Sequence, residues 1–332
     1  MSEILAEVLR GELVESLHRG DVAVVDAQGR VVACVGDPEK VTFMRSSAKP
    51  IQALPVVETG AAGAFGLTGK ELAVICASHA AEQEHIETVQ GILRKIGLDE
   101  TYLACGVHPP LDETSARLLL LEGKDPGPVH NNCSGKHSGM LAMAAYLKLP
   151  LQDYYRPDHP LQQLILRTMA EMTGLRPQNI HVGIDGCGVP VFGMPLRNMA
   201  FAYARMISPG LEPERARAAQ EIVSAMTRYP IMVAGRGRFN SELMTRTNGR
   251  VWGKTGAEGL FCLGLPEKGL GVAVKVEDGS SRGIPPTVVE VLHQLGALNR
   301  EEEGNLASFH QPANTNRRGQ VVGVIRPAFQ LH

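Results

Sequence analysis

The sequence has neither a strong net charge nor an apolar run long enough to cross a membrane. Its 332 residues include 33 Lys and Arg against 35 Asp and Glu, a formal net charge of −2. No basic stripe indicates a nucleic-acid partner. The apolar run at 140–147 is far shorter than the ~20 residues of a membrane helix, and the charged first residues lack the apolar centre of a signal peptide. We therefore expect a cytoplasmic protein without nucleic-acid or membrane partners.

Repeats and low-complexity linkers are also missing, and cysteines are few. The six cysteines are expected to be free thiols, because a reducing compartment disfavours disulfides. Hydrophobic residues make up 44% of the chain and charged residues 20%, which is typical of a globular protein with a sizeable core. We expect residues 1–332 to form a single domain of two intertwined lobes.

Predicted strands cluster at both ends of the chain, and predicted helices fill the middle. Val-rich runs at 19–37 predict a hairpin, 250–283 is rich in strands, and 319–329 predicts a final strand. The segment 133–149 predicts a glycine-loosened loop that leads into an apolar helix. This is not a repeating βαβ pattern. We expect an α/β fold with a mainly antiparallel sheet from both termini, flanked by helices, and a helical lobe.

A serine and a lysine stand three residues apart at the start of a predicted helix. Ser46 and Lys49 share one helix face at this spacing. A serine hydroxyl is a weak nucleophile until a base removes its proton, and a lysine in a dry, positively charged pocket can be that base. Arg45 can supply the charge or bind a substrate carboxylate. An ordinary capped helix start is the alternative.

A second motif, Lys254-Thr255-Gly256, follows late in the chain. K-T-G on a strand accompanies S-x-x-K in penicillin-recognising enzymes, in the order found here. The S-D-N element of those enzymes is missing from any suitable place, which disfavours a true β-lactamase.

Two cysteines lie among glycines and polar residues. Cys133 and Lys136 precede an apolar helix, and Cys187 lies in a glycine-rich turn. Two thiolates with further nitrogen or oxygen donors suit Zn²⁺, whereas two buried thiols beside a solvated lysine are the alternative. A P-loop is excluded, because His130 takes the place of its first glycine and His137 that of its Ser or Thr.

Ser78 follows an apolar run, at the end of an element, where it serves either as a cap or as a catalytic group. Asp278 and Arg282 stand in a polar segment after a predicted strand. No H-E-x-x-H and no G-x-G-x-x-G motif occurs.

Together these stretches resemble the Rhizobium-type L-asparaginases, the asparaginase II or class 3 family. The resemblance rests on five motifs in order, from about Val8 to Arg326: RSSAKPIQ, CASHAAEQEH, NNCSGKHSGM, DGCGVPVFGMPL, and GKTGAEG followed by VAVKVEDGSSRG. It implies a fold shared with serine β-lactamases and glutaminases, a homodimer, and hydrolysis of L-asparagine to L-aspartate and ammonia.

The resemblance also assigns roles to residues. The two serine–lysine pairs of the family fall on Ser46 with Lys49 and on Ser78 with Lys254. Its zinc site falls on Cys133, Lys136 and Cys187. His137 and Asp185 match positions near that site.

The mechanism expected from these roles begins with Lys49, which activates Ser46 for attack on the side-chain amide, with Ser78 as the alternative nucleophile. Arg45 and Arg282 are candidates for binding the α-carboxylate. Glutamine is an alternative substrate, because one methylene is worth only ~1–3 kcal/mol of discrimination. A non-catalytic sensor of asparagine or zinc is the alternative of another class.

Overall fold

The structure, a computed structural model, describes residues 1–208 and 210–332. Its strands are β1 (Glu3–Arg10), β2 (Leu13–Asp26), β3 (Val31–Val35), β4 (Val41–Phe43), β5 (His181–Ile184), β6 (Pro190–Pro195), β7 (Trp252–Gly256), β8 (Leu260–Leu265), β9 (Leu270–Val276), β10 (Ala313–Thr315) and β11 (Val321–Pro327). Its α-helices are α1 (Lys49–Glu58), α2 (Ala61–Ala64), α3 (Gly69–Ile75), α4 (Gln83–Lys95), α5 (Glu113–Leu121), α6 (Ser134–Tyr146), α7 (Pro160–Thr173), α8 (Leu196–Arg205), α9 (Pro213–Arg228), α10 (Pro230–Ala234), α11 (Phe239–Arg246), α12 (Ile284–Gln294) and α13 (Arg300–His310).

The chain forms two compact units, each assembled from separate stretches of sequence. The sheet unit comprises Met1–Ser47, Met194–Ser208 and Leu243–His332. The helical unit comprises 48–193 and 210–242. The expectation of one domain with two lobes stays a prediction.

Both termini contribute to one antiparallel sheet, as the sequence predicts. The strand order is β10-β11-β1-β2-β9-β8-β7, with β3 beside β2. β1 pairs with β11 in the register Ala6↔Pro327, and β2 pairs with β9 in the register Ala23↔Ala273. The α/β fold with a mainly antiparallel sheet from both ends of the chain is therefore confirmed.

Helix α8 lies directly against this sheet. Gly271 of β9 allows the contact, because a Cβ atom there would lie 1.9 Å from the carbonyl oxygen of Ala200. The fully buried Trp252 stacks on Tyr203 of α8, with ring centroids 4.7 Å apart. Each of these rings buries a large apolar area in the core, and the stacked geometry adds about 0.5–1.5 kcal/mol.

In the helical unit, α6 begins earlier than the sequence predicts. We expected a glycine-loosened loop before the apolar helix, but the helix already starts at Ser134. The glycines serve helix packing instead: a Cβ atom on Gly135 would lie 2.0 Å from the carbonyl oxygen of Val74, and one on Gly139 would lie 2.6 Å from the side chain of Ile75. Their spacing of four residues puts both on the face of α6 that contacts α3.

The apolar pattern of residues 71–79 predicts a helical start and a strand-like end. The segment 71–79 begins as helix α3, but it ends in an irregular stretch rather than a strand. Thr68 caps α3, accepting the N–H of Glu71 while the Glu71 carboxylate accepts the N–H of Thr68.

Among the described residues, no helix is both long enough and apolar enough to span a bilayer.

Candidate active site

A buried lysine amine and a serine hydroxyl meet in the helical unit. Lys49 is the first residue of α1 and is 1% exposed. Its Nζ lies 3.0 Å from Ser78 Oγ, 2.5 Å from the carbonyl oxygen of Ala77 and 3.4 Å from that of Asn132. Two of the three neighbours can only accept hydrogen bonds, whereas the Ser78 hydroxyl can either accept or donate. These three oxygens can accept from either form of the Lys49 amine, and Lys49 also forms a hydrogen bond with the side chain of Cys133.

A backbone hydrogen bond and a constrained backbone conformation hold the segment that carries Ser78. The N–H of Ser78 donates to the carbonyl oxygen of Val233, 3.0 Å away. Ala81, which is fully buried, has a φ of 61°, a conformation that costs a non-glycine residue about 1–2 kcal/mol. Backbone strain of this kind persists only where the surrounding structure enforces it, and it clusters at functional sites.

His79 ties this segment to the start of α6. Its Nδ1 accepts the N–H of Ala81, and its Nε2 lies 2.8 Å from Ser134 Oγ. Ser134 in turn donates to the carbonyl oxygen of Val129. Because Nδ1 is an acceptor, His79 carries its proton on Nε2. Burial, reinforced by the charges of His85 and Lys49, keeps the pKa of His79 well below its ordinary value, so the ring stays neutral.

The structure brings Cys133, Lys136 and Cys187 together in the helical unit. Cys133 directly precedes α6, and its N–H donates to Asn131 Oδ1. Cys187 lies in the turn between β5 and β6, and Lys136 Nζ lies 3.0 Å from its Sγ. All three side chains are buried. The antiparallel β5–β6 pair thus brings one sulfur to the helix end that holds the other.

Electrostatics favour opposite charges on Cys133 and Lys136 in this cluster. A hydrogen bond from Cys187 lowers the pKa of Cys133 well below its ordinary value, and the charges of Lys49 and Lys136 lower it further. The same hydrogen bond, with burial, raises the pKa of Cys187. Burial disfavours the charge of Lys136, but the two sulfurs outweigh this and raise its pKa. These directions favour charge on Cys133 and on Lys136 and disfavour it on Cys187.

This donor set fits zinc in its chemistry. Two sulfurs and one nitrogen are ligands that Zn²⁺ takes, and three protein ligands leave a fourth position open. Cys187 and Lys136 would have to release their protons to bind a metal. Within residues 1–208 and 210–332, no group of three or more His, Cys, Asp or Glu side chains is placed to hold a metal ion. Any metal in this cluster would therefore depend on Lys136 as a ligand.

His137 and Asp185, also predicted from the sequence, flank the cluster in the same unit. His137 Nδ1 lies 2.6 Å from the hydroxyl of Tyr154, and the ring is fully buried. Burial, followed by the charges of Lys136 and Lys49, lowers the pKa of His137 well below its ordinary value. The charge of Asp185, which directly follows β5, acts on Lys136.

The sheet unit holds the other predicted site residues. Ser46 and Arg45 lie in the 3-10 helix Arg45–Ala48, and Arg45, with a φ of 48°, lies 3.9 Å from the Glu258 carboxylate. The fully buried Lys254 lies in β7, and its Nζ donates to the carbonyl oxygen of Thr255.

Arg282, the remaining predicted residue, is also in the sheet unit. It is exposed and donates to His18 Nε2 and to Ser16 Oγ, while His18 Nδ1 lies 2.7 Å from Asp278. These contacts give Arg282 a structural role at the end of β9. Its proposed role in substrate binding stays a prediction.

Sequence reasoning missed the Lys49–Ser78 contact and the supporting residues His79, Asn131 and Tyr154. His79 and Asn131 lie inside the motifs that carry the resemblance, so the motifs were a signal for them. Tyr154 stands in a segment without a motif, and no sequence signal marked it.

The chain matches the family model of L-asparaginase II over residues 6–327. It therefore belongs to the L-asparaginase II family. This membership supports an activity of the amidohydrolase type. No curated protein sequence is similar enough to the chain to count as a match.

Solved structures with a similar fold share little sequence with this chain. Mglu in its native form is 14% identical, with a TM-score of 0.45, and the match covers 85% of this chain and 65% of Mglu. The chain thus spans just under two thirds of Mglu. A β-lactamase (Mb2281c) from Mycobacterium bovis is 13% identical, with a TM-score of 0.43 and coverage of 83% and 94%. Simvastatin synthase (LOVD) from Aspergillus terreus is 14% identical, with a TM-score of 0.37 and coverage of 78% and 86%.

Proposed function

We propose that the protein hydrolyses L-asparagine to L-aspartate and ammonia, with Ser78 as the nucleophile and Lys49 as its base. The observation that supports this most directly is the 3.0 Å separation of Lys49 Nζ and Ser78 Oγ. The sequence favoured Ser46 as the nucleophile. That assignment stays a prediction, and Ser78 is preferred because its hydroxyl has a described contact with the lysine.

The two carbonyl oxygens beside Lys49 orient its amine. A neutral amine has two protons and one lone pair. Donation of both protons to Ala77 and Asn132 leaves the lone pair directed at the Ser78 hydroxyl. After it accepts the serine proton, the ammonium donates three hydrogen bonds to the same three oxygens. Little rearrangement then accompanies the proton transfer, which is how a preorganised site lowers a barrier.

The reaction proceeds in two stages. Ser78 Oγ gives its proton to Lys49 Nζ and bonds to the side-chain amide carbon of asparagine. The carbon–nitrogen bond breaks, Lys49 returns the proton to the leaving nitrogen, and ammonia departs from an aspartyl ester. Water then attacks the ester, giving a proton to Lys49, which passes it to Ser78 as aspartate leaves. The N–H of Ser78 is engaged with Val233, so other groups stabilise the oxyanion.

The remaining predicted residues keep their implied roles as part of this proposal. His137 and Asp185 would contact the charged α-groups of the substrate, and Arg45 its carboxylate. Lys254 is a second candidate for protonating the leaving nitrogen. The homodimer and the cytoplasmic location stay predictions.

Cys133, Lys136 and Cys187 are proposed as the ligands of a zinc ion. When bound, it would help to orient the charged α-groups of the substrate or fix the surrounding loop. The chain's own residues would supply the nucleophile and move the protons. In the metal-free state, the ammonium of Lys136 balances the thiolate of Cys133.

The proposal is tested by measuring ammonia release from L-asparagine and L-glutamine. We expect release from asparagine, and loss of at least about 10³-fold in kcat for Ser78→Ala, because catalysis by an activated nucleophile is lost. Lys49→Met should lose a similar amount. Ser138→Ala is the matched control, since this buried serine donates only to the Gly135 carbonyl of its own helix. Unchanged turnover in Ser78→Ala, with loss in Ser46→Ala, would contradict the assignment.

Other outcomes separate the alternatives. Faster release from glutamine would indicate a glutaminase. Asparagine binding by calorimetry, without ammonia release, would favour a sensor. Covalent labelling by a fluorescent penicillin would favour a penicillin-recognising enzyme.

The zinc proposal has its own test. Elemental analysis of purified protein should find zinc in the wild type and little in Cys187→Ser, whereas Cys105→Ser, at a neighbouring buried thiol, should retain it. The Cys105 thiol donates to the carbonyl oxygen of Pro128, 3.5 Å away, and is not one of the three residues assigned to the metal. Unchanged kcat and KM after chelation would contradict a role in substrate orientation.

A further inference from the structure

His137 has one ring nitrogen with a partner and one without. Its Nδ1 lies 2.6 Å from the hydroxyl of Tyr154, whereas Nε2 is buried and has no hydrogen-bond partner in the described residues. A buried polar atom without a partner costs free energy, and native structures seldom keep one without a function or a bound molecule. The unpaired Nε2 is therefore a position where a bound molecule would gain a hydrogen bond.

The Tyr154 hydroxyl has a second neighbour, and this fixes the direction of its own proton. The N–H of Ala104 donates to the Tyr154 oxygen, 3.0 Å away. The hydroxyl proton is then available for His137 Nδ1, which accepts it. In this arrangement, Nε2 carries the ring hydrogen and is the one donor of the His137–Tyr154 pair that has no partner among the described residues.

The opposite tautomer satisfies fewer atoms. If His137 carried its hydrogen on Nδ1, Tyr154 would accept two hydrogen bonds, and its own proton would have no partner on that side. Nε2 would then be a second unpaired atom, an acceptor. Two unsatisfied buried atoms are less favourable than one, so the Tyr154 donor selects the Nε2–H tautomer.

We propose that Tyr154 is a positioning residue: it holds His137 in the Nε2–H tautomer, so that Nε2–H donates to a carboxylate or carbonyl oxygen of the amino-acid substrate. The substrate part rests on the proposed function. Tyr154 is 1% exposed, and the amide of Gln162 donates to its backbone carbonyl, so the ring has little freedom to move. Its edge-on contact with the imidazole fixes the orientation of His137 as well.

The adjacent Tyr155 provides a matched control. Its hydroxyl donates to Asp153 Oδ1 at the surface and not to the site. Tyr154→Phe and Tyr155→Phe remove the same atom from neighbouring positions. Thermal unfolding of both variants identifies any loss of fold before the site is assayed.

The first measurement is the tautomer itself, by long-range ¹H–¹⁵N NMR on protein with ¹⁵N-labelled histidine. The chain has 11 histidines, and His137 is assigned by the signals lost in His137→Gln. We expect Nε2 protonation in the wild type and in Tyr155→Phe, and a mixture or reversal in Tyr154→Phe. A wild-type His137 protonated on Nδ1 would overturn the proposal, whatever the protein hydrolyses.

The second measurement is a double-mutant cycle in KM for asparagine. We expect Tyr154→Phe to raise KM about tenfold, the equivalent of one lost hydrogen bond, while Tyr155→Phe leaves it unchanged. In a His137→Gln background, where no imidazole tautomer remains, Tyr154→Phe should have little further effect. Equal effects in both backgrounds would overturn the positioning role. Absence of ammonia release by the wild type would instead refute the proposed function, and the NMR result would still decide the tautomer.

Discussion

Substitution of Gly135 by alanine tests whether close packing of α6 on α3 holds the site together. The added Cβ would lie 2.0 Å from the carbonyl oxygen of Val74, whereas real Cβ atoms essentially never approach within 3.0 Å. The two helices must then separate by about 1 Å, because the obstacle is backbone and cannot rotate away. Overpacking of this kind costs about 1–3 kcal/mol or more, against a gain of at most about 1 kcal/mol from better helix propensity.

We expect the substitution to slow catalysis as well as to destabilise the fold. Helix α6 carries Lys136 and His137, and Ser78 follows α3 by three residues. A shift of about 1 Å between such groups can cost about 10²-fold in rate. We expect Gly135→Ala to lose about 1–2 kcal/mol of unfolding free energy in urea, followed by circular dichroism, and about 10²-fold in kcat/KM.

Two matched variants make this result interpretable. Gly304→Ala lies in α13, where a Cβ atom meets nothing within 4 Å, so it should gain up to about 1 kcal/mol. The Cβ of Gly139→Ala would lie 2.6 Å from a γ carbon of the buried Ile75 side chain rather than against backbone, so this variant should fall between the two. If Gly135→Ala unfolds at the same urea concentration as the wild type or a higher one, the packing argument is wrong.

Further predictions concern the rest of the molecule. The single tryptophan, Trp252, is fully buried, so its fluorescence should lie at short wavelength and shift to the red when urea unfolds the sheet unit; an emission like that of free tryptophan would contradict this. A hydrogen bond from His310 lowers the pKa of Glu290, so its carboxylate stabilises the fold above the unfolded pKa of about 4.3, and this contribution is lost as the pH falls through the lower folded value. Glu290→Gln should therefore lose about 1 kcal/mol near pH 7 and match the wild type near pH 3, and an equal loss at both pH values would refute this.

The larger features of the fold could be predicted from sequence patterns. Alternating Val-rich runs and amphipathic stretches gave the sheet from both termini and most helices of the middle, because burial on one face imposes those periods. The start of α6 was missed, because Gly135 and Gly139 are typical of a loop by local propensity. Their actual role is tertiary: they allow close approach to α3, which is distant in sequence.

The sequence singled out the residues of the candidate site, but it did not show which serine contacts Lys49. Cys133, Lys136 and Cys187, which the motifs single out, lie together in the structure. Spacing along a helix associated Lys49 with the serine three residues before it, but its amine contacts Ser78, which is far along the chain. Such a contact depends on how α1 and the end of α3 pack, and no local rule specifies that.

The most direct test of the account is to identify the serine that becomes acylated. The protein is mixed with L-asparagine, quenched in acid after a short time, digested, and analysed by mass spectrometry. The account predicts an aspartyl ester on the peptide that contains Ser78, and none when Lys49 is replaced by methionine. An ester on Ser46 with Ser78 unmodified would contradict it.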